Sequence, residues 1–517
     1  MRIPPFKMER MQSTYENYVE YNLSESGVHP MRVEELLDGS PETAKFLTTE
    51  LGYCQSNGTE ELRDRIALFY PGASCGNILV TNGGAEANFA TFWTLLEKGD
   101  RVALQIPNYF QTPGLARIYA GRVDFFRLVR RKEGDSTRWA LDVDSLRRAV
   151  TKKTRLILVT NPNNPTGAIL TESEMDAVVQ TARRAGAWIV ADEIYRGAEL
   201  SGRTTPTFWG RYSRVIITSG LSKAFGLPGL RIGWVVAPPK TIEAIWSHRD
   251  YTTIAPSILS DHVARIAMES GRREAILSRT RSIICANLPV LEKWIRTHDD
   301  IFTYTAPEAG AIAFIKYDLP IASIPLVEKL RVEQSVLIVA GDQCGLPRHI
   351  RIGYGSPTAY TREALIRFDQ ILERLKGSMI GRAHLSMPSV AVRHPRRMSI
   401  DGCPFTPHAR MYCPDFLVPM RRTSPASIRG FRRFIAPCLD TPIPSQISRG
   451  ARLLRSRSIC RRCSCLGRKT SLAGPVSAAS CWIRTQTFSR VRRMTSAAYS
   501  SHSVRSPPCC RTESRAS

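Results

Sequence analysis

The sequence predicts an α/β protein with a large unit built on a mostly parallel central sheet, a smaller α/β unit after it, and a basic tail with no fold of its own. Three observations carry this reading. Between about residues 40 and 239, short β-branched runs alternate with longer amphipathic stretches, which is the pattern of βα units. A shorter set of the same kind follows from about 288 to 375. Beyond Gly377 the periodicity stops and the composition turns to Arg, Ser, Pro and Cys.

Within the first set, ILVTNGG (78–84), RVALQIP (101–107), RLILVT (155–160), AWIVADE (187–193) and RVIITSG (214–220) are expected as buried strands. Their nearly unbroken apolar character suits a parallel sheet covered on both faces. Between the third and fourth runs, TESEMDAVVQTARRAG (171–186) predicts a helix opened by a Thr171/Glu174 capping box and stopped by Gly186. The second set predicts a helix over 288–296, strands near 311–316, 336–340 and 350–353, and a closing helix over 361–375. The expected organisation is an N-terminal segment (1–45) packing on the smaller unit, a large unit (46–285), the small unit (286–377) and the tail (378–517).

Net charge is +26, which on its own would suggest nucleic acid or an anionic surface, but it is unevenly distributed. Residues 378–517 carry +21 of it, leaving the body at +5. Nine of the thirteen cysteines also lie in the tail, and the body's Cys54, Cys75, Cys285 and Cys344 show no ligand or disulfide spacing. Cys460, Cys463 and Cys465 lack a second ligand pair at regular spacing, so no metal is expected. The tail's composition cannot bury enough apolar area to offset chain entropy, so disorder is expected. Translation out of frame is a further hypothesis for the tail; an intact reading frame and the same tail in related genes would refute it. No apolar run is long enough to span a membrane and no signal peptide opens the chain, so a cytoplasmic protein is expected.

The chemistry concentrates at the ends of the expected strands. SGLSKAFGLPGLRIGW (219–234) places Lys223 just past a strand end, with Arg231 eight residues on and small residues that let the backbone approach a phosphate. ADEIYRG (191–197) puts Asp192 at the end of a buried strand, where a carboxylate is costly without a partner. TNGGAEANF (81–89) is a strand, glycine turn and helix start, whose N–H groups at Gly83, Gly84 and Ala85 can cradle a phosphate. Each has a plainer explanation when taken alone: a surface lysine in a turn, a helix-capping Asp, an ordinary turn. NPNNPTG (161–167), PNYF (107–110), YCQSNGTEELRDRIA (53–67) and RHIRIGYG (348–355) complete the set.

In their order over residues 20–375, these segments resemble the class I/II aminotransferases, pyridoxal-phosphate enzymes of fold type I. The resemblance implies pyridoxal 5'-phosphate as cofactor, bound to Lys223 as a Schiff base, with Lys223 then moving the substrate proton. It implies that Asp192 keeps the cofactor's ring nitrogen protonated and that Tyr195 and Asn164 hydrogen-bond its phenolate oxygen. Arg231, with Gly83, Gly84 and Ala85, would hold the phosphate, and Tyr109 would stack on the ring. Many relatives carry serine where this chain has Gly220, so a hydroxyl contact to the phosphate would come from Ser219 or Ser222, or be absent. Tyr53 would reach the phosphate of a second protomer in a homodimer with shared active sites. Arg351, with Arg348 as competitor, would pair with the substrate carboxylate, and Gly27 with Val28 would close over the substrate.

The implied reaction is amino-group transfer between an L-amino acid and a 2-oxo acid. The runner-up is β-elimination and cyclisation: SESGVHP, the lysine segment and RDYTTI (249–254) are similar to capreomycidine synthases, which act on 3-hydroxyarginine. A pyridoxal-phosphate-sensing regulator would need a DNA-binding unit ahead of this region, where barely twenty residues precede the first matching segment. Nucleic acid and membrane are therefore not expected as partners.

Overall fold

The structure is a computed structural model that describes residues 4–384 apart from Asp38 and Ser40. Residues 378–384, expected as the start of a disordered tail, instead continue the closing helix, while the chain from 385 onward, including Cys460, Cys463 and Cys465, lies outside the described residues. In chain order the strands are β1 Tyr21–Asn22, β2 Ile78–Thr81, β3 Arg101–Ile106, β4 Arg122–Glu133, β5 Ser136–Leu141, β6 Thr154–Thr160, β7 Trp188–Asp192, β8 Val215–Gly220, β9 Gly233–Val236, β10 Phe302–Thr303, β11 Ile312–Tyr317, β12 Val336–Leu337, β13 Val339–Ala340 and β14 His349–Gly353.

All five runs expected in the first set are strands, and they belong to one eight-stranded sheet of order β2-β9-β8-β7-β6-β3-β4-β5. From β8 through β4 every pairing is parallel, while β9 and β5 run against their neighbours. Alternation along each strand divides its side chains between two cores. Val80, Ile157, Val159, Ile189 and Ile217 face one side, and Leu79, Leu156, Leu158, Val190 and Ile216 face the other. Because helices cover both faces, the runs read as continuously apolar. Three strands went unanticipated. β4 sets the solvent-facing Arg127 between buried Phe126 and Leu128 and ends in exposed charged residues, β5 opens with the polar run Ser136, Thr137 and Arg138, and β9 begins within the lysine segment, where the motif hid its strand character.

The helix Glu172–Ala185 has both halves of the expected capping box, and Gly186 ends it in a left-handed conformation at φ 67°. In the smaller unit, β10, β11, β14 and β13 form an antiparallel sheet. The single strand expected over 336–340 is two short ones: β12 pairs with β1 of the N-terminal segment, and β13 with β14. Leu23 and Val28 from that N-terminal segment enter the small core, while Met8 and Leu36 enter the core of the large sheet. The helix expected over 288–296 is the end of a 27-residue helix, Ser270–Arg296. Its Ile276 and Leu277 belong to the large core and its Ile284, Leu291 and Trp294 to the small one. The closing helix runs Thr358–His384. Among the described residues no helix is long and apolar enough to cross a membrane.

Candidate active site

The C-terminal ends of β6, β7 and β8 open into a cavity of about 280 Å³, closed on its other side by the N-terminal segment and β14. Ligands of open α/β sheets bind at this end of the strands. Lys223, Asp192, Tyr195, Asn164, Tyr109, Ser222, Arg231, Gly84, Ala85 and Arg351 all line it, although they come from segments far apart in the chain.

Arg231 follows a short 3-10 turn, Pro228–Leu230, and adopts the left-handed conformation at φ 51°, uncommon for a residue with a side chain. Its guanidinium donates to the Pro228 carbonyl at 3.1 Å and to Ser222 Oγ at 3.4 Å. It also lies directly over Gly83, where a Cβ would come 2.3 Å from Nη2 and where φ is +88°. Glycine is therefore required at 83 for both conformation and space. The helix Gly84–Leu95 begins here, and its first turn lines the cavity with N–H groups that have no intrahelical partner.

Asp192 ends β7 and is 8% exposed. Its carboxylate accepts from Asn88 Nδ2 at 3.3 Å and from the Ile194 N–H at 3.1 Å. Asn88 is oriented in turn by the Thr218 hydroxyl, which donates to Asn88 Oδ1 at 2.8 Å. No cation pairs with Asp192 among the described residues, and burial pushes its carboxyl up to about 6. The neighbouring Glu193 points away, accepting from the Thr207 hydroxyl and the Phe208 N–H at 2.9 Å each.

Tyr195 is buried and donates to Ser26 Oγ at 2.8 Å. Arg351, 1% exposed, donates from Nη1 to Asn164 Oδ1 at 3.0 Å and from Nη2 to the Ser24 carbonyl at 2.5 Å, while its buried Nε has no partner among the described residues. Arg348, three residues earlier, turns outward to Asp318 and the Leu319 carbonyl, both at 3.0 Å. Tyr109 donates to Glu9 Oε1 at 2.9 Å. Of the two serines flanking Gly220, Ser222 lines the cavity, whereas Ser219 donates to the Glu193 carbonyl at 3.2 Å. Tyr53 is 90% exposed and lies away from the cavity of its own chain. A Cβ on Gly27 would sit 3.2 Å from the Ser222 carbonyl and 3.6 Å from Lys223 Cδ, so the segment closes directly over the lysine stem.

Sequence reasoning missed Glu25, whose Oε1 accepts from Lys223 Nζ at 2.5 Å, and Asn88, the partner of Asp192. Asn88 had a signal, since it stands one helical turn after Gly84 and faces the same way. Glu25 had none. Burial acts against its ionisation, but the Lys223 ammonium and the N–H groups of Ser26 and Gly27 outweigh it and hold the carboxyl down at about 2. Lys223, for its part, is raised: burial disfavours its charge, and Glu25 and Tyr195 more than compensate.

A model of the aminotransferase class I and II family matches residues 24–368. The chain belongs to this family. Among relatives of the aminotransferase, capreomycidine synthase of Streptomyces vinaceus is 28% identical over 65% of this chain and 85% of its own. The aspartate/prephenate aminotransferase of Thermus thermophilus is 28% identical over 62% and 83%. A solved pyridoxal-phosphate-dependent aminotransferase from Streptococcus suis superposes with a TM-score of 0.67 at 29% identity, covering 72% of this chain and 99% of that one. The pyridoxal-phosphate-dependent cyclase OrfR gives 0.65 at 28%, over 72% and 98%. Family and fold imply pyridoxal phosphate for the aminotransferase. The cavity fits that group. A buried carboxylate without a counter-charge suits a protonated ring nitrogen, and an arginine beside a helix N-terminus suits a phosphate.

Proposed function

We propose that this aminotransferase moves an amino group between an L-amino acid and a 2-oxo acid, with pyridoxal phosphate carried on Lys223. The observation that supports this best is the convergence of Lys223, Asp192, Asn164 and Arg351 on one cavity. When bound, the cofactor supplies an electron-poor ring able to take up the electron pair left by a departing α-proton. The protein's residues do the rest. Lys223 Nζ takes the α-proton and returns it to the cofactor side, a transfer governed by geometry and by how strongly the amine holds a proton. Asp192, ionised, supplies the negative charge facing the ring nitrogen and is kept in place by Asn88. Arg231, Ser222 and the first turn at Gly84 and Ala85 hold the phosphate. Tyr195 and Asn164 face the phenolic oxygen, and Tyr109 covers the ring. Arg351 pairs with the substrate carboxylate, using the donors that also reach Asn164 Oδ1 and the Ser24 carbonyl. The exposure of Tyr53 suits a homodimer in which it serves the partner's site.

β-Elimination with cyclisation is the second reading, favoured by the 28% identity to both capreomycidine synthase and the cyclase OrfR. One experiment separates the two. Protein loaded with pyridoxal phosphate is mixed with single amino acids, without a 2-oxo acid, and the cofactor is extracted. Transamination leaves pyridoxamine phosphate in amounts equal to the sites, whereas a cyclase leaves the aldehyde form unchanged while consuming substrate. Borohydride reduction followed by peptide mapping is expected to place the adduct on Lys223, and an adduct elsewhere would refute the assignment.

A further inference from the structure

Four consecutive residues of the N-terminal segment each touch a different part of the site. The Ser24 carbonyl accepts from Arg351, Glu25 from Lys223 and Ser26 Oγ from Tyr195, while Gly27 lies against Ser222 and the Lys223 stem. Glu25 is fixed more firmly than an ordinary carboxylate at a cavity edge. Its Oε1 accepts from the Ser26 and Gly27 N–H groups at 2.8 Å each as well as from Lys223. Three glycines make room for this arrangement. Besides Gly27, a Cβ on Gly353 would meet the Glu25 carbonyl at 1.9 Å, and one on Gly355 the Gly27 carbonyl at 2.1 Å. The carboxylate is nonetheless open to the cavity, with 43% of its side chain exposed.

We propose that Glu25 is a positioning residue for Lys223: in the cofactor-free protein its carboxylate holds the amine as an ammonium, and so governs when it can take up the cofactor. The inference rests on the reading that Lys223 carries pyridoxal phosphate. The same pairing serves turnover. An amine released by the incoming substrate stands beside a fixed negative charge, which strengthens its hold on the proton it must receive and pass on. The other charged or titratable groups around Lys223 are Glu9 and Glu16 on the N-terminal segment, Asp192 and Tyr195 at the end of β7, Arg231 after β8, Tyr109 after β3 and Arg351 on β14. Among these, Glu25 alone bonds directly to the amine.

Cofactor-free protein mixed with pyridoxal phosphate in a stopped-flow spectrophotometer tests this across pH 6–10, with the wild type, Glu25→Gln and Glu25→Asp. Only the neutral amine attacks the aldehyde, and an opposite charge at this distance moves an amine's titration by roughly one unit or more. Glu25→Gln is therefore expected to capture the cofactor about tenfold faster at neutral pH, with its rate profile displaced at least about one unit toward acid. Glu25→Asp, which keeps the charge, is expected to stay close to the wild type. A Glu25→Gln profile that superposes on the wild type, or one slowed equally in both variants, would overturn the inference. In either case a normal wild-type adduct at Lys223 would leave the proposed function standing. A wild type with no adduct at Lys223 would overturn both.

Discussion

Lys223, Asp192 and Asn164 follow or end adjacent parallel strands, so sheet spacing of about 4.8 Å sets their separation before any side chain acts. Ser24, Glu25, Ser26 and Gly27 reach the same cavity from an extended segment with no ladder behind them. That segment is held by a two-residue pairing of β1 with β12, by the small core and by the bonds it makes to the Tyr195 and Lys223 side chains themselves. One wall is thus built with the fold, and the other is docked onto it. On the proposed function, the difference separates two kinds of contribution: the sheet wall would supply the groups that do chemistry, and the docked wall would orient and charge them.

The most severe way to break the comparison is to remove chemistry from the sheet wall alone. Lys223→Ala is expected to lower amino transfer about 10⁴-fold, since proton transfer and cofactor attachment both depend on that amine. Thermal unfolding of the cofactor-free variant is expected to stay near the wild type. A variant retaining more than about one per cent of wild-type turnover would mean that some other group moves the proton.

A second prediction concerns charge on the same wall. Without cofactor, the Asp192 carboxyl titrates near 6 because of burial, against about 3.9 in an unfolded chain. Below the unfolded value it is neutral in both states. Between the two values unfolding lets it ionise, so stability is lost as pH rises from about 4 to about 6 and is not regained above. Some two units correspond to about 3 kcal/mol. Chemical denaturation at a series of pH values is expected to show this fall in the cofactor-free wild type and a shallower one in Asp192→Asn. Bound pyridoxal phosphate is expected to flatten the wild-type fall as well, by giving the carboxylate a counter-charge. Equal slopes for wild type and Asn variant would remove the burial argument on which the cofactor fit partly rests.

The same division governs what the sequence made legible. The β6, β7 and β8 runs could be read because burial on both faces leaves nearly pure apolar stretches, and a polar residue at their end stands out. β4 was illegible because its two buried residues, Phe126 and Leu128, flank the exposed Arg127, and charged residues crowd both ends of the strand. Asn88 lay within a segment already singled out, but its role comes from Asp192 and Thr218, each more than a hundred residues away. Glu25 shows the limit most clearly. It lies 198 residues before Lys223, and what makes it meaningful is the close approach allowed by Gly353 and Gly355, which no local pattern encodes.

Arg351 lies between the two walls, on β14 but bonded to both Asn164 and Ser24, and it gives the finest test of their separation. Arg351→Lys keeps the charge and loses the planar fork that can grip a carboxylate with two parallel bonds. Losing one charge-assisted bond costs about 2 kcal/mol, so the KM for the amino acid is expected to rise roughly thirtyfold with kcat changed less. Arg348→Lys, whose guanidinium faces Asp318 at the surface, is expected to leave both constants within about twofold, as exposed ion pairs contribute little. If Arg348→Lys raised KM and Arg351→Lys did not, the carboxylate would bind at the outer arginine. The bonds joining β14 to the N-terminal segment would then be purely structural.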